Sequence, residues 1–302
     1  MLCKRESYKK DYRLSRRIMM GYHTKPTTFV GHVKIKVEKL ERSLQFYKDI
    51  LGFDILERSD SSAKLTTDGK TSILSLEQPE NVVPKQGRTT GLYHFALLLP
   101  TKTDLANIVV HLVEKGVRFG SSDHLVSEAL YLNDPDGNQI EIYIDRDPSE
   151  WDWNGEEVDM AVDPLDFERL LTNIVPGKTW KGMPEETLMG HIHLHVAELQ
   201  KTEEFYVKGL GMDVVNRYGT QALFLSSGKY HHHIGVNTWN GVGAPKPPKN
   251  GVGLESYTLI LPTEEARDGI VDSLKKIGAD VVKENNKVIT FDPSGNQIEL
   301  AI

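Results

Sequence analysis

The sequence predicts an α+β fold of four tandem βαβββ modules curled into two half-open barrels, on two internal repeats and one periodicity. The stretch from Gly31, GHVKIKVEKLERSLQFYKDILGFDIL, returns from Gly190 as GHIHLHVAELQKTEEFYVKGLGMDVV, with His, Leu, Phe-Tyr, Leu-Gly and Asp in register. A second pair opens GLYHFALLLP at Gly91 and GLESYTLILP at Gly253, and both copies close on DPxGNQIE, at residues 134–141 and 292–299. Val33, Ile35 and Val37, like Ile192, Leu194 and Val196, alternate with the period of two expected of a half-buried strand.

Each element follows in order from these repeats. After the first strand, Leu40, Leu44 and Tyr47 keep helical spacing, and Gly52 stands where a helix C-cap glycine belongs. The second pair continues through the helices DLANIVVHLVEKG and EEARDGIVDSLKKIG before its closing hairpin. Module 1 thus starts near Thr28, module 2 at Gly91, module 3 at Met189 and module 4 at Gly251. The expected domains are residues 28–147 (modules 1 and 2) and 187–302 (modules 3 and 4), joined by a linker over 148–186. Trp151, Trp153 and many acids in the linker predict an ordered wrap of short helical pieces. Single helices between strands, followed by short hairpins, give mixed sheets of the α+β class.

Bulk properties narrow the function. The chain has 302 residues, of which 39% are apolar and 26% charged, ordinary for a globular protein with a sizeable core. No run approaches the roughly 18 consecutive apolar residues of a membrane-spanning helix. A net charge of −7 argues against a nucleic-acid partner, since no basic face would neutralise a row of phosphates. The single cysteine, Cys3, excludes an internal disulfide framework and cysteine-rich metal sites, and points to the cytoplasm. The opening MLCKRESYKKDYRLSRRIMM is basic and lacks the apolar core of a secretory signal. Residues 1–27 are expected to be a disordered extension, with Met19 or Met20 as an alternative start.

Metal chemistry is written in a few positions. His32 and His191 occupy the same place in modules 1 and 3, His94 the opening strand of module 2, and Glu141 and Glu299 the closing strands of modules 2 and 4. Module 4 has Ser256 where module 2 has His94. A lone histidine is more often a hydrogen-bonded core residue than a ligand. Two histidines and a carboxylate on inward-facing strands, however, form a facial triad that leaves three positions open on Fe(II). Module 1 has Thr71 and Ser72 near the place where module 3 carries His231, His232 and His233, and module 4 lacks the second ligand. The complementary sets favour His94 and Glu141 with His191, shared across the two halves. The competing set replaces His191 by His32. The tri-histidine run has a plainer reading, an exposed metal-sticky patch. The sequence 134–137, Asp-Pro-Asp-Gly, is a chain-reversing turn, so Tyr131 and Glu141 can lie on adjacent antiparallel strands.

From about Thr28 to the C-terminus the chain resembles the vicinal oxygen chelate superfamily, which holds glyoxalase I, extradiol dioxygenases and fosfomycin-resistance proteins. Within it the chain is most similar to catechol 2,3-dioxygenases of the bacterial CatE type. The resemblance is carried by GLYHFALLLP, GHIHLHV, KYHHHIG and the segment 123–141, DHLVSEALYLNDPDGNQIE. That segment matches the extradiol signature at His124, Leu130, Tyr131, Asp134, Pro135, Gly137 and Glu141, and departs from it at Ser122. The resemblance implies the glyoxalase/bleomycin-resistance/extradiol dioxygenase fold and meta cleavage of catechol-type aromatic diols with O2 and Fe(II), Mn(II) being the alternative metal. It implies His232 as the general base, with His233 as the fallback, and Tyr131 and His124 as hydrogen-bonding catalytic residues. It also implies a cytoplasmic enzyme, an oligomer of identical chains. Phe95, Trp239 and Tyr257 are candidate walls for an aromatic substrate. Two other readings compete: a glyoxalase-type lyase or isomerase with Zn or Ni and typically four protein ligands, and a metal-free protein that sequesters a small molecule.

Overall fold

The computed structural model describes residues 20–302. Module 1 comprises β1 (Phe29–Lys36), α1 (Leu40–Phe46), β2 (Asp54–Arg58), β3 (Ser62–Thr66) and β4 (Ser72–Glu77). Module 2 comprises β5 (Gly91–Leu98), α2 (Lys102–Glu114), β6 (Gly120–Asp123), β7 (Ser127–Asn133) and β8 (Gln139–Asp145). The linker forms a small hairpin, β9 (Trp153–Asn154) and β10 (Glu157–Val158), and the one-turn helix α3 (Phe167–Leu171). Module 3 comprises β11 (Leu188–His195), α4 (Leu199–Glu204), β12 (Asp213–Tyr218), β13 (Ala222–Ser226) and β14 (Ile234–Asn237). Module 4 comprises β15 (Gly253–Ile260), α5 (Glu264–Lys276), β16 (Val281–Glu284), β17 (Lys287–Phe291) and β18 (Gln297–Ala301).

The sheets do not follow chain order. One eight-stranded sheet runs β16-β17-β18-β15-β1-β4-β3-β2 and joins modules 1 and 4; the other runs β12-β13-β14-β11-β5-β8-β7-β6 and joins modules 2 and 3. The division into residues 28–147 and 187–302 describes the order of the chain, and each sheet takes one module from each side of the linker. Chain neighbours are tied instead through the DPxG turns. Asp134 accepts hydrogen bonds from the Asp136 and Asn138 amides and from the Tyr47 hydroxyl of module 1. Asp292 repeats this with Ser294, Asn296 and the Tyr206 hydroxyl of module 3.

Local sequence explains the elements. Thr101 and Thr263 cap α2 and α5 by accepting from the Asp104 and Ala266 amides, a bond worth about 1 kcal/mol at a helix start. The turn after α1 ends on Gly52 at φ 78°, the left-handed conformation that the C-cap glycine predicts. Strand alternation then sorts the side chains. On β5, β8 and β11, Phe95, Leu97, Ile140, Ile142, Ile192 and Leu194 join one continuous core with the helices. His94, Glu141, Tyr143, His191 and His193 consequently fall on the opposite face.

Residues 20–27 belong to the fold, against the expectation of a disordered extension up to residue 27. A 3-10 turn spans Met20–His23; His23 is buried and donates from Nε2 to the Gly190 carbonyl at 2.8 Å, and Tyr22 stacks on Trp151. Their aromatic rings seal the end of the second sheet, a packing that charge composition does not reveal. The expected disorder and alternative start over residues 1–19 lie outside the described residues. Among the described residues, no helix is long and apolar enough to cross a membrane.

Candidate metal centre and cavity

Three residues of the sheet of modules 2 and 3 converge. His94 on β5, Glu141 on β8 and His191 on β11 are each at least 96% buried, and their donor atoms all lie within 4.8 Å of one another. Register puts them there: Ala96 pairs with both His191 and Glu141, and His94 is two residues before it on the same face. His32 lies in the other sheet, 2.8 Å from Ser75 Oγ.

The donor chemistry fits a divalent cation. Both imidazole Nε2 atoms lie 3.0 Å from a single oxygen, Glu141 Oε2. His94 Nε2 is nevertheless a buried atom with no correctly directed hydrogen bond. A sealed polar atom without a partner costs about 1–3 kcal/mol, so a pair of imidazoles aimed at one carboxylate oxygen is better explained by a shared cation than by mutual hydrogen bonding. Burial lowers the His191 imidazole to about 4 against the opposing pull of Glu141, which keeps its lone pair free for a metal. Burial alone would raise the Glu141 carboxyl, but His191 and His94 outweigh it and hold the group well below its usual range.

A cavity of about 320 Å³ opens onto this cluster. Two larger hollows, about 450 and 400 Å³, hold none of the three ligand-type residues, so donor chemistry and not size locates the site. Tyr131 enters the cavity directly opposite Glu141 on the neighbouring antiparallel strand, as the turn sequence predicts. Its hydroxyl lies 2.6 Å from His124 Nε2. His124 Nδ1 donates to the Ala161 carbonyl at 2.6 Å, so in the neutral ring Nε2 accepts from the Tyr131 hydroxyl. Burial first, and then Glu141, raises the Tyr131 phenol well above its ordinary value, keeping it protonated as a donor. His232 lines the cavity and packs on His191 with ring centroids 4.1 Å apart.

The tri-histidine run is buried, not an exposed patch: His231 and His233 are fully covered and His232 is 8% exposed. Tyr230 and the residue-22 turn close over it. His233 turns away from the cavity and donates from Nε2 to the Tyr22 carbonyl. Of the three expected aromatic walls, Trp239 lines the cavity. Phe95 points into the helix-covered core because it alternates with His94, and Tyr257 is buried in the other sheet.

Other lining residues went unread in the sequence. His191, His193 and His195 recur at every second position of β11, a spacing that already places His193 beside a ligand on one face. The linker supplies Met160, Ala161 and Val162, an apolar triplet between acids that edges the cavity. Backbone pairing of Asp123 with Asp163 pins that triplet beside the edge strand β6.

The chain belongs to the glyoxalase/bleomycin resistance protein/dioxygenase superfamily, whose family model matches residues 29–142 and 188–300. It is 44% identical over 280 residues to a catechol-2,3-dioxygenase of Bacillus subtilis (strain 168), covering 91% of this chain and 98% of that protein. A biphenyl-2,3-diol 1,2-dioxygenase of Rhodococcus globerulus is 31% identical over 123 residues, 40% of this chain and 65% of its own. Among solved structures, a putative dioxygenase from Bacillus subtilis superposes with a TM-score of 0.62 at 15% identity, over 92% of this chain and 86% of its own. Glyoxalase I of Zea mays superposes at 0.55 and 16% identity, over 90% and 92%. These two likenesses concern the fold.

Proposed function

We propose that the protein is an extradiol ring-cleaving dioxygenase that opens catechol-type diols with O2, using Fe(II), or alternatively Mn(II), held by His94, Glu141 and His191. The observation that carries this reading is a donor set of two imidazoles and one carboxylate beside a Tyr and a His in one cavity. A three-residue set leaves coordination positions for a chelating diol and dioxygen. The rival lyase chemistry asks for a second carboxylate, and among the described residues Glu141 is the single acid of the cluster. A protein that merely sequesters its ligand has no need of the convergent triad.

The metal supplies a template for the diol and the redox link between diol and dioxygen. The chain does the rest. His232 takes a proton from a substrate hydroxyl, and burial, which holds its imidazole well below the ordinary value, keeps it neutral and able to accept. His124 holds the Tyr131 hydroxyl in place, and the Tyr131 oxygen accepts from the remaining hydroxyl of the diol. Among the described residues the cavity lining contains no Lys or Arg, while Tyr93, Phe224 and Trp239 offer aromatic rings, so the pocket suits a neutral aromatic diol. The single cysteine supports a cytoplasmic setting.

The test is direct. Protein loaded anaerobically with Fe(II) and given catechol, then O2, should form a yellow ring-opened semialdehyde with one O2 consumed per diol. Absence of both colour and uptake across simple alkyl- and aryl-catechols would overturn the assignment.

A further inference from the structure

The proposed function uses one histidine of the 231–233 run and leaves its neighbour unexplained. His231 is fully buried, and so is the Asp145 side chain at the end of β8. His231 Nε2 lies 2.8 Å from Asp145 Oδ1, and the Tyr230 hydroxyl donates to the same oxygen at 3.1 Å. Tyr143 Oη stands 2.7 Å from Tyr230 Oη; with Tyr230 donating to the carboxylate, Tyr143 is the donor of that contact.

A carboxylate only accepts, so His231 carries a proton on Nε2, and in the neutral ring its lone pair is on Nδ1. His232 Nδ1 lies 2.9 Å from that Nδ1 and must therefore be the donor. Every hydrogen in the chain from His232 through His231 to Asp145 is then assigned, and His232 is left with an unprotonated Nε2 on a ring that lines the cavity. The arrangement does for His232 what a buried carboxylate does for the histidine of a hydrolase triad, with one more imidazole between them.

We propose that His231 and Asp145 are positioning residues that hold His232 in its Nδ1-protonated tautomer, so that Nε2 receives the substrate proton. This rests on His232 as the base. In the step, the diol O–H bond breaks with its electron pair staying on oxygen, and the proton binds the Nε2 lone pair. The positive charge gained by His232 is stabilised through His231 by the Asp145 carboxylate. The equivalent places in the other sheet hold Thr71 and Ser72, which offer no such chain.

Nitrogen-15 NMR of histidine-labelled, metal-free protein reads the tautomer without turnover, with the His232 signals identified by their loss in His232→Ala. The expected spectrum has a protonated Nδ1 and a bare Nε2; a protonated Nε2 in the wild-type protein overturns the proposal. Asp145→Asn and His231→Phe should move the proton toward Nε2 and lower kcat by about 10²-fold, the range for a lost acid-base group, with KM and metal content unchanged. His231→Gln should restore most of kcat, because its amide oxygen can accept from His232 while its NH2 donates to Asp145. Full kcat in metal-loaded His231→Phe overturns the relay, whereas full kcat in His232→Ala overturns the base assignment itself. Should the Asp145 and His231 variants not fold, the wild-type spectrum alone decides.

Discussion

The two sheets share one register and differ in the side chains that register brings together. Where His191 and Glu141 flank Ala96, the sheet of modules 1 and 4 has His32 and Glu299 flanking Thr258. Ser256 replaces His94, and Lys34 replaces His193. The carboxylate there is already neutralised, Lys287 Nζ standing 2.7 Å from Glu299. Burial first, and then Lys287, Lys34 and Lys64, lowers the His32 imidazole to about 4. A cation would meet one imidazole, a spent carboxylate and several ammonium groups. The backbone therefore offers the same site twice, and on the proposed reading the loss of two histidines with the gain of Lys34, Lys64 and Lys287 tells the two copies apart.

The largest effects should come from breaking the copy proposed to hold the metal. His94→Ala and Glu141→Ala should take bound metal from stoichiometric to background, as measured by elemental analysis of purified protein, since two ligands of a facial set make a weak chelate. Wild-type metal content in either variant would remove that residue from the ligand set. A smaller effect is expected from the groups that touch substrate without holding metal. Tyr131→Phe and His232→Ala should keep the metal and lose about 10²-fold or more in kcat by oxygen-uptake kinetics. Unchanged kcat at full metal occupancy would exclude them from the chemistry.

The smallest effects sharpen the comparison through matched glycines. A Cβ on Gly190 would stand 2.0 Å from Tyr143 Oη, and one on Gly31 would stand 2.5 Å from Ile260 Cγ1. Tyr143 is locked by its hydrogen bond to Tyr230, whereas the Ile260 side chain can rotate away. Gly190→Ala should therefore lose about 1–3 kcal/mol in chemical denaturation and Gly31→Ala clearly less. Equal losses would mean that the tyrosine network is no stiffer than an aliphatic contact.

Much of this was legible in the residues. The repeat at residues 31 and 190 announced the modules, and strand alternation placed His94, Glu141 and His191 on inward faces because the intervening Phe95, Ile140 and Ile192 need the core. The pairing of modules was not legible in the repeat alone, because β1 and β11 carry the same edge pattern and either could pair with β5. It was the unequal inventory, histidines in module 3 against Thr71 and Ser72 in module 1, that pointed to the shared site. The cavity walls contributed by Met160 and Val162 depend on how the linker crosses the sheet edge, which no periodicity records. The tyrosine–aspartate network behind His231 joins residues 85 or more positions apart and was likewise invisible.

The claim that one copy of the site is assembled across the linker, from modules 2 and 3, is tested most directly by metal content in a single pair of variants. His191→Ala and His32→Ala remove the same residue from the same strand position in the two sheets. Elemental analysis after Fe(II) loading and desalting should find background metal in His191→Ala and wild-type stoichiometry in His32→Ala, the latter with a stability change of about 1 kcal/mol. Metal retained in His191→Ala and lost in His32→Ala would contradict the account and place the centre in the sheet of modules 1 and 4.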